Sequence, residues 1–215
     1  MSDRPPVAVV GAGRVGGALA DRLQRAGHAV TIAARDPASP SVAAALARNP
    51  ALRVEAPAAA VAGAEVVLLA TPFGAVGDAL RPLADALAGR LLVDCTNPVG
   101  PGVTHGLGGT RSGAEEVRDL APGAPVVKAF SVYGVENLED NAFPGAGAPP
   151  AMPICGDDPG AKAVVAGMAA RLGWRPLDVG GLEQALHLEH MTLLWVRMVR
   201  LGGRSPHMVW AVLER

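Results

Sequence analysis

Gly11-Ala12-Gly13-Arg14-Val15-Gly16 has the spacing G-x-G-x-x-G, and the chemistry open to it is the binding of a phosphate-bearing ligand. Alone, the motif is weak evidence. Here the apolar run VAVV (7–10) precedes it, and a helical pattern over 14–26 carrying Val15, Leu19 and Leu23 follows. In that setting Gly11 permits a tight turn, Gly13 lets the backbone approach a pyrophosphate, and Gly16 lets helix and strand pack closely. Ala12, Arg14 and Val15 complete a loop whose free N–H groups, at the start of the helix, receive the anion.

A second strand is predicted over HAVTIAA (28–34), and the residues at its end select the nucleotide. An acid about twenty residues past the glycines would hold the ribose 2′-hydroxyl of NAD. This chain has Ala33, Ala34 and then Arg35. Small side chains leave room for a 2′-phosphate, and a guanidinium binds phosphate through paired, charge-assisted hydrogen bonds. NADP is therefore the expected cofactor, with NAD kept open by Asp36 one residue further on.

Three more strand ends converge on the same crevice: Thr71-Pro72-Phe73, Thr96-Asn97-Pro98, and Phe130-Ser131-Val132-Tyr133-Gly134. Open α/β sheets bind their ligands at such ends. Asn97 suits a carboxamide and Phe73 the wall of a ring site, so a second small ligand beside the nicotinamide is expected. Evident acid–base machinery is missing. The only tyrosine, Tyr133, is followed four places on by Asn137, so the Tyr-x-x-x-Lys of short-chain dehydrogenases fails. Direct hydride transfer between two stacked rings needs mainly positioning, and it suits such a site.

Other candidates have simpler readings. Glu183, His187 and His190 share a helical stripe that could hold a metal, but it reads as a solvated or interfacial face, and no metal is expected. Ser112-Gly113-Ala114-Glu115 has the form of a capping box, although the preceding loop, 106–111, could also receive a phosphate. Lys128 lies inside an apolar strand and is expected to run its stem to the strand's end.

The elements that must position these residues alternate along the chain. Apolar runs at 7–10, 28–34, 65–70, 90–95, 125–130, 151–155 and 174–180 predict strands. Helical patterns at about 14–26, 40–48, 74–88, 112–121 and 158–172 lie between them. Continuous rather than alternating apolar runs belong to parallel strands covered on both faces. The expectation is an α/β, Rossmann-type, doubly wound and mainly parallel sheet over 1–180, with a short C-terminal helical segment, 181–215. The helix predicted over 182–201 is apolar on most of its circumference, which points to a homodimer. The 35 residues of 181–215 cannot supply the long second domain of the hydroxyacid dehydrogenases that share the glycine loop.

Composition sets the outer limits. Across 215 residues, 19 basic side chains balance 20 acidic ones, so no cationic surplus is available for nucleic acid. Cys95 and Cys155 make neither a disulfide framework nor a zinc pattern. No signal segment or membrane span is legible, which makes the cytoplasm the expected compartment.

Taken together, GAGRVGGALA, TIAARDP, LLATPFGAV, LVDCTNPVG, SGAEEV, VVKAF, CGDDPGAKAVV and LEHMTLLWVRM resemble the NADPH-dependent reductases of coenzyme F420, a deazaflavin. The resemblance runs through the whole chain and extends to the cytosolic domains of membrane ferric reductases. It implies NADP on residues 11–16 with Arg35 at the 2′-phosphate and Thr71–Phe73 alongside the cofactor. It also implies a deazaflavin ring against residues 131–134, hydride passing from ring to ring. Where many relatives read Ala-Phe-Asn-Thr, this chain reads Ala129-Phe130-Ser131-Val132. The residues themselves leave other acceptors open: a free flavin, an imine, or a small carbonyl compound with Tyr133 as proton donor. A non-catalytic NADPH-binding module is the reading from another class.

Overall fold

The computed structural model describes residues 3–215. The first half is built from β1 (Val7–Val10), α1 (Arg14–Arg25), β2 (Val30–Ala33), α2 (Pro40–Arg48), β3 (Arg53–Glu55), α3 (Pro57–Ala62) and β4 (Val66–Leu69). It continues through α4 (Val76–Leu80), α5 (Ala84–Leu87) and β5 (Leu91–Asp94) to a two-residue hairpin, β6 (Val99–Gly100) and β7 (Thr104–His105). Then follow α6 (Gly113–Leu120), β8 (Val126–Lys128), α7 (Val135–Glu139), β9 (Ala151–Gly156), α8 (Pro159–Arg171), β10 (Arg175–Asp178) and α9 (Ala185–Val196).

Eight strands form one sheet in the order β10-β9-β8-β5-β4-β1-β2-β3. Neighbours are parallel except β8 and β9, which pair antiparallel through Val127↔Gly156 and Lys128↔Cys155. The reason is the connection: only the five-residue α7 lies between β8 and β9, too little helix for a parallel return. Every residue of β1, β4 and β5 is buried, which is why these strands read as unbroken apolar runs. The chain leaves β1 for β2 on one side and later returns to β4 on the other. That reversal opens the crevice at the C-terminal ends of the central strands.

Some elements differ from expectation. The helix predicted over 74–88 is interrupted by a 3-10 turn at Arg81–Leu83, because Pro82 has no N–H to continue the ladder. β3 and α3 were hidden. β3 is a three-residue edge strand with two exposed side chains, and α3 lies in an alanine run with no face to mark it. The C-terminal helix begins with a 3-10 turn, Leu182–Gln184, and ends in a π turn, Arg197–Leu201. Its Leu188 and Trp195 are buried in the same core as the sheet. Among the described residues no helix is long and apolar enough to cross a membrane.

Candidate functional site

The glycine loop is shaped by close approach. Gly11 has φ 105°, and a Cβ there would lie 2.7 Å from the carbonyl oxygen of Ala70. At Gly16 a Cβ would fall 1.8 Å from the oxygen of Gly11, so any side chain would push strand and helix apart. Gly13 is different: nothing lies within 4 Å of its would-be Cβ, so the fold does not itself demand glycine there. A ligand lying on the loop would. No side chain caps the first turn of α1, whose amides are thus left for an anion.

Beside the loop lies a cavity of about 530 Å³ lined by Gly11, Ala12, Ala33, Ala34, Arg35, Asp36, Ser39, Ser41 and Thr71, among others. Its floor is small side chains, and Arg35 stands exposed at its rim. Asp36 lines the same cavity and is exposed. Its Oδ1 accepts the Ala38 N–H at 2.9 Å, which turns the chain into α2. Ser39 and Ser41 were not anticipated. Ser39 occupies the N-cap of α2 without a side-chain cap bond, its Oγ 3.4 Å from Ser41 Oγ, so both hydroxyls face the cavity beside Arg35. The signal was available in Ala38-Ser39-Pro40-Ser41, a helix start with two hydroxyls next to an arginine strand end.

The cavity reaches Thr71 and stops there; Asn97, Pro98 and Ser131 do not line it. At the ends of β4, β5 and β8, three buried polar atoms nevertheless lack a hydrogen-bond partner: Thr71 Oγ1, Asn97 Oδ1 and Ser131 Oγ. Buried polar atoms are rarely left so, and each such case asks for a reason. The orientation of the Asn97 amide is fixed, since its Nδ2 donates to the Ser131 carbonyl at 2.8 Å. Its free Oδ1 can only accept, whereas the two hydroxyls can donate or accept. Phe73, half-buried, closes against Gly113, where a Cβ would come within 2.6 Å of the ring. Pro72 is exposed and Pro98 buried.

Of the run 131–134, only Ser131 brings a free group. Val132 is wholly buried and offers no surface to a ligand. Tyr133 donates its hydroxyl to the Ala151 carbonyl at 2.6 Å and accepts from the Trp210 N–H at 3.3 Å. Its ring stacks on Trp174, centroids 5.2 Å apart, and burial pushes the phenol up to about 12. This corrects the expectation for both residues: Val132 is core, and Tyr133 ties β9 to the C-terminal segment rather than giving up a proton. Gly134 is small for Trp195, whose ring would lie 2.4 Å from a Cβ.

Lys128 also departs from expectation. It is wholly buried, so its ammonium does not reach solvent at the strand end. Register puts Asp94 opposite Lys128, and the ammonium donates to Asp94 Oδ2 at 2.8 Å and to the Thr96 carbonyl at 2.8 Å. Glu189, brought in by α9, lies 3.1 Å away on the other side. Burial works against the charge, but Asp94 and then Glu189 outweigh it, holding the ammonium above the ordinary lysine range.

Glu189 also accepts the Gly113 N–H at 2.9 Å and the Ala114 N–H at 3.3 Å, occupying the N-terminus of α6. The alternative that this terminus receives a phosphate is thereby overturned, because a carboxylate of the same chain already sits there. The predicted capping box is present at Ser112 and Glu115. His105 Nδ1 accepts the N–H groups of Leu107 and Gly109, and its Nε2 lies 2.7 Å from Glu189 Oε2. Glu183, His187 and His190 are exposed. Among the described residues no three His, Cys, Asp or Glu side chains are grouped to hold a metal ion.

A glycine loop opening a helix, an arginine beside small side chains at the next strand end and neutral polar strand ends on a doubly wound sheet fit an NADP-dependent oxidoreductase. Comparison with known proteins agrees. Residues 6–98 match the family described as NADP oxidoreductase, coenzyme F420-dependent. A solved structure of a candidate F420-dependent NADP reductase from Arthrobacter sp. FB24 is 30% identical, with a TM-score of 0.81 over 93% of this chain and 95% of that one. The chain belongs to this family. The rat (Rattus norvegicus) metalloreductase STEAP3 is 35% identical over 89% of this chain, which spans 37% of that protein's length. An imine reductase of Myxococcus stipitatus, 18% identical with a TM-score of 0.66 over 93% of this chain and 63% of that one, shares the fold.

Proposed function

We propose that the protein passes hydride directly between NADP(H) and the deazaflavin coenzyme F420, held face to face across the ends of β4, β5 and β8. The observation that carries this reading is the kind of polar group left free there. Thr71, Asn97 and Ser131 are neutral, and the one tyrosine that could have served as an acid is hydrogen-bonded elsewhere. Such a site can orient two rings and exclude water, but it has no side chain suited to protonating a carbonyl substrate.

In this reading the amides of residues 11–16 hold the pyrophosphate, and Arg35 with Ser39 and Ser41 holds the 2′-phosphate. Asn97 Oδ1 accepts an N–H from the nicotinamide carboxamide, and Ser131 Oγ meets the acceptor ring. NADPH supplies the hydride; the proton that completes reduction of the acceptor comes from solvent. The exposed Leu194 and Leu201 on the outer side of the C-terminal helix support a homodimer, to be checked by sedimentation.

The test is anaerobic mixing of the purified protein with NADPH and coenzyme F420, following loss of the deazaflavin absorbance, with free flavin and a cyclic imine in parallel. Bleaching of the deazaflavin alone is the expected result. Consumption of NADPH only with flavin or imine would replace the acceptor. Tight NADPH binding with no consumption by any of the three would make the protein a binding module.

A further inference from the structure

Lys128, Asp94, Glu189 and His105 touch no free group of the crevice, yet they occupy the core directly behind it. Stability does not account for them, because buried ion pairs can usually be replaced by apolar residues at no loss. What a charge cluster does impose is direction, and here its bonds close into a ring. Lys128 Nζ donates to the Thr96 carbonyl, while Asp94 Oδ1 accepts both the Thr96 N–H at 2.9 Å and its hydroxyl at 2.7 Å. The next residue, Asn97, donates to the Ser131 carbonyl. That carbonyl is also within 3.1 Å of Thr192 Oγ1 on α9, whose hydrogen is shared with Leu188 O at 3.0 Å. One turn earlier on α9, Glu189 returns the ring to Lys128.

Two residues on this ring carry the unpartnered atoms, Asn97 Oδ1 and Ser131 Oγ. A second observation points to the same place. Phe130, immediately before Ser131, has φ 56° in the left-handed region, which a bulky residue adopts only when its surroundings force it. The ring supplies that force by gripping the chain at Lys128 on one side of Phe130 and at the Ser131 carbonyl on the other.

We infer that Thr192 and Glu189 of the C-terminal helix are positioning residues for the acceptor. They hold the Ser131 turn and so aim its hydroxyl, the group assigned to the acceptor ring, and thereby set which acceptor the crevice takes, while leaving the nucleotide loop alone. The inference rests on the crevice being the acceptor site, as proposed above.

The experiment compares full-length wild type with Thr192→Val, which keeps the shape and loses the hydroxyl, and Thr192→Ser, which keeps the hydroxyl. Three quantities are read: NADPH Kd, kcat and KM for the acceptor the wild type reduces, and hydrogen exchange in peptides covering 94–98 and 129–134. In Thr192→Val, kcat/KM for the acceptor should fall about tenfold, one hydrogen bond's worth, with NADPH Kd unchanged. Thr192→Ser should restore it, and exchange should quicken in the two peptides but not in α1. Unaltered acceptor kinetics and exchange in Thr192→Val would overturn the inference, as would an equal loss of NADPH affinity. If wild-type protein binds NADPH but reduces nothing, the functional reading fails. Exchange in 129–134 then still decides whether Thr192 holds the Ser131 turn.

Discussion

On the β1–β2 side of the crevice, a ligand meets backbone amides, alanines and an exposed arginine around an open cavity of about 530 Å³. On the β5–β8 side lie two buried polar atoms without partners, backed by a buried ammonium between two buried carboxylates. The first half depends on the absence of side chains, so a few glycines and alanines in one stretch suffice. The second depends on groups brought together from three distant stretches: β5, β8 and α9. Nucleotide binding as proposed therefore needs little of the protein, whereas the proposed acceptor site needs the whole fold, C-terminal helix included.

The largest effect should come from emptying the buried cluster. Lys128→Ala leaves Asp94 and Glu189 buried without their cation and should cost about 3–5 kcal/mol in urea denaturation. A loss under about 1 kcal/mol would mean that the cluster is not ionised as described, and the contrast between the halves would weaken. The pH dependence has a definite sign. Because the Lys128 pKa is raised above its ordinary 10.5, its stabilisation is complete below that value and is lost as pH rises through the raised one. Lys128→Met should lack this alkaline loss.

Next come the two glycines that differ in what they serve. Gly16→Ala should damage the fold and the nucleotide site together, since its Cβ collides with backbone. Gly13→Ala has free space, so melting should be unchanged while NADPH binding weakens. If Gly13→Ala binds NADPH normally, the pyrophosphate does not lie on the loop. Arg35→Ala should lower NADPH affinity by about 1.5–3 kcal/mol and leave NADH nearly untouched, the value of a charged hydrogen bond to phosphate. Equal losses would remove the 2′-phosphate from Arg35. The smallest effect is expected from Tyr133→Phe: about 1 kcal/mol of stability, from the lost bond to Ala151, with turnover retained. Abolished turnover in a folded variant would restore the tyrosine as an acid and favour a carbonyl substrate.

The glycine loop with its strand and helix was legible in the residues because its signals are local. Glycines at 11, 13 and 16, a strand before them and a helix after them all fall within twenty residues. The capping box at Ser112 was equally readable, since cap and partner are one turn apart. Ser39 and Ser41 were missed although they are just as local, because hydroxyls at a helix start ordinarily bind their own helix. β3 and α3 were missed for being too short to show a period. The reversal between β8 and β9 carries no sequence mark, because a strand has the same pattern in either direction.

What the sequence by itself determined is the doubly wound α/β architecture, the glycine loop, the arginine at the second strand end and the strand ends that face the crevice. Each follows from signals confined to one turn or one strand: sterics at glycine, the period of apolar side chains, and a charge placed at a strand end. The tertiary structure alone decided that Lys128 is buried, that Glu189 plugs α6, and that Tyr133 turns away while the Ser131 hydroxyl stays free. These depend on the register that sets Asp94 opposite Lys128, 34 residues apart, and on where α9 docks. A side chain's pattern in its own segment says whether it is covered. Only the packed neighbours say by what.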